Sequence, residues 1–261
     1  MGSTVIVNDG QHLNYTDHGG SGPVVVLLHS FLMDERMFAS QVAALRSEFR
    51  LVTVDERGHG GTPADAPFDY WDIARDVLGL LDHLGVDSAA VVGTSQGGFV
   101  ALRMALLAPD RVTAVAVMGS SGAAEDPQVA AAYRQLAESW AANGPTEQLL
   151  DTVAGICLGS TPADEWKETW RSVPGDRMLR IMTPLVERDC VLGRLDDVRC
   201  AALVLHGSAD AAYPVAHAEE LAAAIPGAEQ LVVVEDGAHF LSLTHAEAVN
   251  PHLQRFLAAH A

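Results

Sequence analysis

The sequence predicts an α/β fold with a mostly parallel central sheet and helices on both faces. Short, continuously apolar runs such as "PVVVLLH" have the composition of strands that are covered on both faces. Segments with one-face helical spacing alternate with these runs along the chain. Such alternation is typical of right-handed crossover connections, which place the strands parallel to each other.

The elements of the first half follow from their composition and spacing. Residues 4–7 and 13–17 predict an opening hairpin, because the "NDGQ" between them is a turn signal. The apolar residues of segment 70–84 recur at the spacing of one helical face, which predicts a helix packed on the sheet. The other predicted elements here are strands at 23–29, 50–54, 89–93 and 112–118 and helices at 37–46 and 96–108.

The second half resumes the same pattern after a long interruption. It predicts strands at 201–206 and 230–234, with helices at 216–225 and from about 246 to 259. Between them the chain contains helical segments broken at "ANGP", "GSTP" and "SVPGD". We therefore expect an α/β core formed by residues 1–120 and 198–261, with residues 121–197 inserted as a helical lid.

Charge and composition exclude several classes of function. Sixteen basic and thirty-four acidic residues give a net charge of −18, which disfavours binding to nucleic acid or an anionic membrane. Cys157, Cys190 and Cys200 form no CxxC pair, so neither a disulfide framework nor a zinc site is expected. The N-terminus has no signal-peptide pattern, and no apolar run reaches the roughly 20 residues that span a bilayer. We expect a cytoplasmic protein; its oligomeric state is not predicted.

A serine between two glycines is the strongest chemical signal. Gly93, Ser95 and Gly97 form a G-x-S-x-G motif between a predicted strand and a predicted helix. A turn this sharp leaves no room for side chains at the glycine positions, and it raises the serine oxygen above the sheet. The helix that follows directs free N–H groups toward the same place. Ser95 is therefore a candidate nucleophile.

A serine nucleophile needs a base and a carboxylate that orients the base. Asp210 follows the strand in "ALVLHGSADAAYP", and His239 follows the next strand in "VVVEDGAHF". Loops at the carboxyl ends of parallel strands lie at one edge of the sheet, where Ser95 also emerges. Glu125 and Asp126 are alternative acids after the strand at 112–118.

The order Ser95, Asp210, His239 resembles that of the α/β-hydrolase superfamily over nearly the whole chain. "HSFLMD", "DERGHGGT" and "GAHF" match positions in that pattern. The resemblance implies that Ser95 attacks an acyl carbon, that His239 transfers the proton and that Asp210 holds the imidazolium. It also implies an oxyanion hole made by the backbone N–H groups of Phe31 and Gln96.

Some residues near this pattern carry more than one interpretation. Ser30 stands where relatives commonly have glycine after the strand-end histidine, so its hydroxyl could assist the oxyanion or fill space. Among the strand-end groups, we expect His29 to brace the oxyanion loop. Asp55, Arg57 and His59 are expected to stabilise their own loop, and Asp236 is too close in sequence to His239 to be the favoured acid.

The stretch "LLHSFLMDERMFASQVAAL" is similar to that of 3-oxoadipate enol-lactonases and related small esterases. This similarity implies hydrolysis of a small-molecule ester or lactone through an acyl-enzyme, without metal or cofactor. Ser30, Trp140 and Trp166 are candidate substrate contacts, and packing within the lid is the alternative for the tryptophans. Other possibilities are the same triad acting on a C–C, amide, thioester or peracid substrate, a lyase or cyclase, and a ligand-binding receptor with little turnover.

Overall fold

A computed structural model describes residues 2–261 and contains one eight-stranded sheet. The strands are β1 (Ser3–Val7), β2 (Gln11–Asp17), β3 (Val24–Leu28), β4 (Arg50–Asp55), β5 (Ala89–Thr94), β6 (Val112–Met118), β7 (Ala201–Gly207) and β8 (Val232–Val234). Their spatial order is β1-β2-β4-β3-β5-β6-β7-β8. β1 and β2 pair antiparallel with each other and β2 with β4, whereas β4, β3 and β5 to β8 run parallel. The predicted α/β class is confirmed.

Ten α-helices connect or flank these strands in the described part of the chain. They are α1 (Ala39–Leu45), α2 (Tyr70–His83), α3 (Gln96–Leu107), α4 (Pro127–Asn143), α5 (Glu147–Leu158), α6 (Asp164–Arg171), α7 (Gly175–Glu187), α8 (Val215–Ala224), α9 (Leu241–Thr244) and α10 (Ala246–His260). None of these helices combines the length and the apolar character needed to cross a bilayer.

The middle strands form the core, as their apolar sequences predict. Every residue of β5 is buried, and Val25 to Leu28 of β3 are completely shielded from solvent. Helix α3 is buried along most of its length because it follows the turn after β5 and packs on β5 and β6. The nucleophile candidate therefore lies between two buried elements.

Local chemistry explains where the elements depart from their predicted bounds. The predicted helix at 37–46 begins earlier, as a 3₁₀ turn at Glu35–Phe38, because the Asp34 carboxylate accepts a hydrogen bond from the Arg36 N–H. Strand β8 is shorter than predicted and pairs with β7 over only three residues. Helix α9, which begins two residues after His239, was not predicted.

The connection from β6 to β7 holds helices α4 to α7 and, among the described residues, no strand. Asp126 begins α4 by accepting hydrogen bonds from Gln128 N and Val129 N, with Pro127 at the first helical position. Helices α4 and α7 then pack extensively against each other. This part of the chain is thus built from helix–helix contacts, as the broken helical pattern indicates.

Candidate active site

Ser95 lies in a strained turn between β5 and α3. Its φ of 51° and ψ of −109° are rarely adopted by residues other than glycine. A Cβ added to Gly93 would lie 2.2 Å from the carbonyl carbon of Gly97, and one added to Gly97 would lie 2.0 Å from the Leu28 oxygen. Both glycines are therefore required by backbone packing, as the motif predicts.

Hydrogen bonds from the surrounding core hold this turn in place. Ser95 N donates to the Met118 oxygen of β6 at 2.8 Å, and the Ser120 hydroxyl donates to the Ser95 oxygen at 2.9 Å. Gly98 N and Phe99 N also donate to the Ser95 oxygen, at 2.9 and 3.2 Å. These contacts fix the backbone of Ser95 and offset the cost of its positive φ.

The structure brings Ser95, His239 and Asp210 into one chain of hydrogen-bonding groups. The Oγ of Ser95 lies 2.9 Å from Nε2 of His239. The Nδ1 atom of the same imidazole lies 2.8 Å from Oδ2 of Asp210. All three side chains are largely buried, and this is the geometry in which an imidazole can accept the serine proton while a carboxylate orients it.

Asp210 is held by its own loop as well as by His239. Its Oδ1 accepts hydrogen bonds from Ala212 N and Tyr213 N at 2.8 and 2.9 Å. Burial raises the pKa of this carboxyl. His239 and the Tyr213 N–H lower it by a larger amount, so the pKa of Asp210 lies below its ordinary value. The carboxylate is therefore charged at neutral pH and can stabilise an imidazolium.

The expected oxyanion donors flank Ser95. Gln96 is the first residue of α3, so its N–H has no partner within the helix. Phe31 follows Ser30 in the loop after β3, and both residues line the same cavity as Ser95. The Ser30 hydroxyl is buried and has no hydrogen-bond partner among the described residues.

An apolar cavity of about 50 Å³ opens at Ser95. Its lining side chains come from the sheet edge and from helices α4, α5 and α7, and none of them is lysine or arginine. The lining residues are Ser30, Phe31, Ser95, Tyr133, Leu136, Val153, Ile156, Cys157, Met182, Leu185, Ala212, Tyr213, His239 and Phe240.

Trp140 and Trp166 were candidate substrate contacts, and the structure does not bring either to this cavity. The Trp140 side chain is fully buried, and its indole N–H donates to the Val173 oxygen at 3.0 Å. Trp166 instead packs under the guanidinium of Arg36. Neither ring therefore lines the cavity at Ser95: Trp140 packs within the helical segment, and Trp166 lies against Arg36.

The alternative acids are engaged elsewhere. Glu125 accepts hydrogen bonds from Arg188 at 2.8 Å and from the Tyr213 hydroxyl at 3.0 Å. Asp126 caps α4. Asp236 lies in the loop before His239, has a positive φ of 54° and is exposed. Asp210 is thus the carboxylate that reaches His239.

The neighbouring loop residues form structural contacts. Arg57 donates to the buried Asp76 carboxylate, and Asp55 accepts from the N–H groups of Glu35 and Gly61 at 2.9 and 2.8 Å. The His59 ring bonds the Arg57 oxygen. Between residues 2 and 261 no group of three His, Cys, Asp or Glu side chains could hold a metal ion.

Sequence reasoning missed two residues at the site. Tyr213 packs its ring 5.4 Å from that of His239 and joins the Asp210 loop to Glu125. Glu56 is completely buried behind Gln96, and its carboxylate accepts a hydrogen bond from the side-chain amide of Gln96 at 2.8 Å. A glutamate immediately after a buried strand, inside "VDERG", was the available signal for Glu56.

Comparisons with known proteins agree with the fold. The family model described as alpha/beta hydrolase fold matches residues 23–246. The chain is 32% identical to a dihydrolipoyllysine-residue acetyltransferase component of an acetoin cleaving system from Pseudomonas putida, over 96% of this chain and 68% of that protein. It is 30% identical to a putative carbamate hydrolase of Caulobacter vibrioides, over 97% of each chain. The crystal structure of the enol-lactonase from Burkholderia xenovorans superposes with a TM-score of 0.88 at 27% identity, over 98% of this chain and all of the other.

Proposed function

The chain is a hydrolase that belongs to the α/β-hydrolase family, and we propose that it cleaves a carboxylic ester or lactone of a small molecule through an acyl-enzyme. The observation that carries this proposal is the continuous contact from Ser95 Oγ through His239 to Asp210, with distances of 2.9 and 2.8 Å. The similarity to an enol-lactonase over nearly the whole chain supports the same type of bond.

In the proposed reaction, His239 accepts the hydroxyl proton as Ser95 Oγ attacks the acyl carbon. The ester C–O bond then breaks, and His239 returns the proton to the leaving oxygen. Water then attacks the acyl carbon while the same imidazole accepts its proton; the bond from the acyl carbon to Ser95 Oγ breaks, the acid leaves, and His239 returns the proton to Oγ. Asp210 stabilises the imidazolium that forms in each half of the cycle.

The negative oxygen of each tetrahedral intermediate needs donors that are already in place. We assign this role to the backbone N–H groups of Phe31 and Gln96. Each such donor typically contributes about 3–4 kcal/mol to transition-state stabilisation. The N-terminal position of Gln96 adds the favourable end of the α3 dipole.

The acyl group is proposed to be uncharged. The cavity at Ser95 is lined mostly by apolar side chains. Its apolar lining holds no cation that could neutralise a substrate carboxylate. Helices α4, α5 and α7 supply much of this lining, which supports their proposed role as a lid.

A fluorophosphonate probe followed by mass spectrometry tests the nucleophile directly. We expect one phosphonylated peptide, containing Ser95, and loss of labelling in the Ser95→Ala variant. A panel of p-nitrophenyl esters and lactones then identifies the bond. Labelling at another residue, or full activity of Ser95→Ala, contradicts the mechanism. Tight binding of a small molecule by the unlabelled wild-type protein, with no turnover over the whole panel, would instead favour a receptor.

A further inference from the structure

We propose that Glu56 is a positioning residue that connects the two halves of the oxyanion hole. It contacts the Phe31 side through its backbone N–H and the Gln96 side through its carboxylate. The inference rests on the proposed function, because it assigns a role to a residue beside the proposed oxyanion donors. One contact leads to the Phe31 N–H and the other to the Gln96 N–H.

On the first side, Glu56 orients a peptide group through His29. Glu56 N donates to His29 Nε2 at 2.9 Å, so this nitrogen is unprotonated and Nδ1 carries the ring proton. The Nδ1–H group then donates to the Ser30 oxygen at 2.8 Å. That oxygen and the Phe31 N–H belong to one planar peptide unit, so holding the oxygen sets the direction of the N–H. Met33 N donates to the same oxygen at 3.0 Å.

On the second side, Glu56 holds the side chain of the other donor residue. The Gln96 amide nitrogen donates to Glu56 Oε2 at 2.8 Å, and the Gln96 amide oxygen accepts from the Tyr70 hydroxyl at 3.3 Å. The side chain of Gln96 is therefore fixed at both ends. This restraint limits movement of the first turn of α3, which carries the Gln96 N–H.

The environment of Glu56 is costly for stability, which favours a functional reason for a carboxyl group there. Glu56 is completely buried, and its Oε1 has no hydrogen-bond partner among the described residues. Burial raises the pKa of Glu56 to about 7; the hydrogen bond from the Gln96 amide opposes the rise, and the charge of Asp55 adds to it. The hydroxyl of Tyr70 is another titratable group close to the Glu56 carboxyl. An apolar side chain of similar size would avoid the desolvation of a buried carboxyl.

The test compares Glu56→Leu with Glu56→Gln in the full-length protein. Glu56→Leu removes the acceptor for the Gln96 amide and keeps the backbone N–H that donates to His29, so it tests the Gln96 side of the link; we expect kcat to fall about 10- to 100-fold with KM changed by less than about threefold. Glu56→Gln keeps an acceptor oxygen in nearly the same place. It should restore kcat to within about threefold of the wild-type value at pH 6, where the wild-type carboxyl is mostly protonated.

A second measurement separates positioning from a general loss of structure. A trifluoromethyl ketone forms a tetrahedral oxyanion on the catalytic serine, so its inhibition constant should rise in Glu56→Leu by about the factor lost from kcat. The inhibition constant of the leaving-group alcohol, which presents no oxyanion to the hole, should not change. Where Glu56→Leu does not fold, Gln96→Leu makes the same test, because it removes the partner amide and retains the backbone donor.

The outcomes distinguish this inference from the proposed function. Unchanged kcat and ketone inhibition in Glu56→Leu or in Gln96→Leu, with Ser95→Ala inactive, overturn the role of Glu56 alone. A lowered melting temperature with wild-type kcat does the same, because it shows a purely structural residue. Activity in Ser95→Ala overturns the proposed function first.

Discussion

The Nε2 atom of His239 lies 2.9 Å from the Oγ of Ser95, although 144 positions separate the two residues along the chain. They meet because β5 and β8 are parallel strands of one sheet whose carboxyl ends face the same edge. Asp210, in the loop after β7, joins them at that edge. The contact between Ser95 and His239 therefore depends on the strand order of the sheet.

Replacing Asp210 by asparagine should lower kcat by about 10⁴-fold, because an amide cannot stabilise the imidazolium and favours the wrong tautomer of His239. Steady-state hydrolysis of a p-nitrophenyl ester measures the effect. Asp236→Asn is the matched control, since Asp236 is exposed in the same loop as His239, and it should retain activity. A near-normal kcat in Asp210→Asn would redirect attention to Glu125.

The turn at Ser95 should not tolerate a methyl group. In Gly97→Ala the new Cβ would lie 2.0 Å from the Leu28 oxygen. This oxygen belongs to the backbone of a buried strand, so it cannot move away without disrupting the sheet. We expect loss of more than about 4 kcal/mol of stability, or no soluble protein. Gly155→Ala is the control: its Cβ meets nothing within 4 Å in the middle of α5. It should be neutral or stabilise by up to about 1 kcal/mol in urea unfolding.

Burial of Glu56 should make stability depend on pH. Its pKa is about 7 in the folded protein against an ordinary value of 4.5. Between these values the folded state retains a proton that the unfolded chain has lost, so the free energy of unfolding falls as pH rises from about 4.5 to 7 and then levels. The total change is about 3 kcal/mol.

Urea unfolding of the wild type and of Glu56→Gln across this range isolates that contribution, because titration of all other groups is common to both proteins. We expect the stability difference between them to shift in favour of the glutamine variant as pH rises. A difference that is the same at pH 4.5 and pH 7.5 would show that the carboxyl titrates normally.

Arg188 and Glu125 form a buried ion pair whose side chains are 1% and 3% exposed. Arg188→Met leaves the Glu125 carboxylate buried without its cation, with the Tyr213 hydroxyl and the Asp126 N–H as its remaining donors, so we expect a loss of about 3–5 kcal/mol in unfolding free energy. The double variant Arg188→Met/Glu125→Gln should recover part of this loss. If the single and double variants are equally stable, the charge of Glu125 is not the cause.

The cavity should discriminate against a charged acyl group. p-Nitrophenyl butyrate and the mono-p-nitrophenyl ester of succinic acid differ only by a terminal methyl or carboxylate. We expect kcat/KM for the succinyl ester to be lower by about 100-fold or more, because no cation lines the cavity to receive the carboxylate. Equal rates would argue that the acyl chain lies in solvent.

The elements that could be predicted are those with a strong local signal. The strand at 112–118 has the predicted bounds, because a buried run is bounded by polar turns on both sides. Helix α9 has only four residues, too few for a periodic pattern. Trp140 and Trp166 could not be assigned from the sequence because an aromatic side chain has the same signature in a lid core and in a substrate cavity.

The amino-acid sequence by itself determined the α/β class, the motif around Ser95 and the order in which Asp210 and His239 follow it. These features depend on periodicity and on the glycines of one turn, which are local properties. Only the tertiary structure decided that Glu125 pairs with Arg188, that the cavity has no cationic side chain, and that Glu56 reaches Gln96. Those contacts join distant segments, and their partners are chosen by how helices and strands pack, which no short stretch of sequence records.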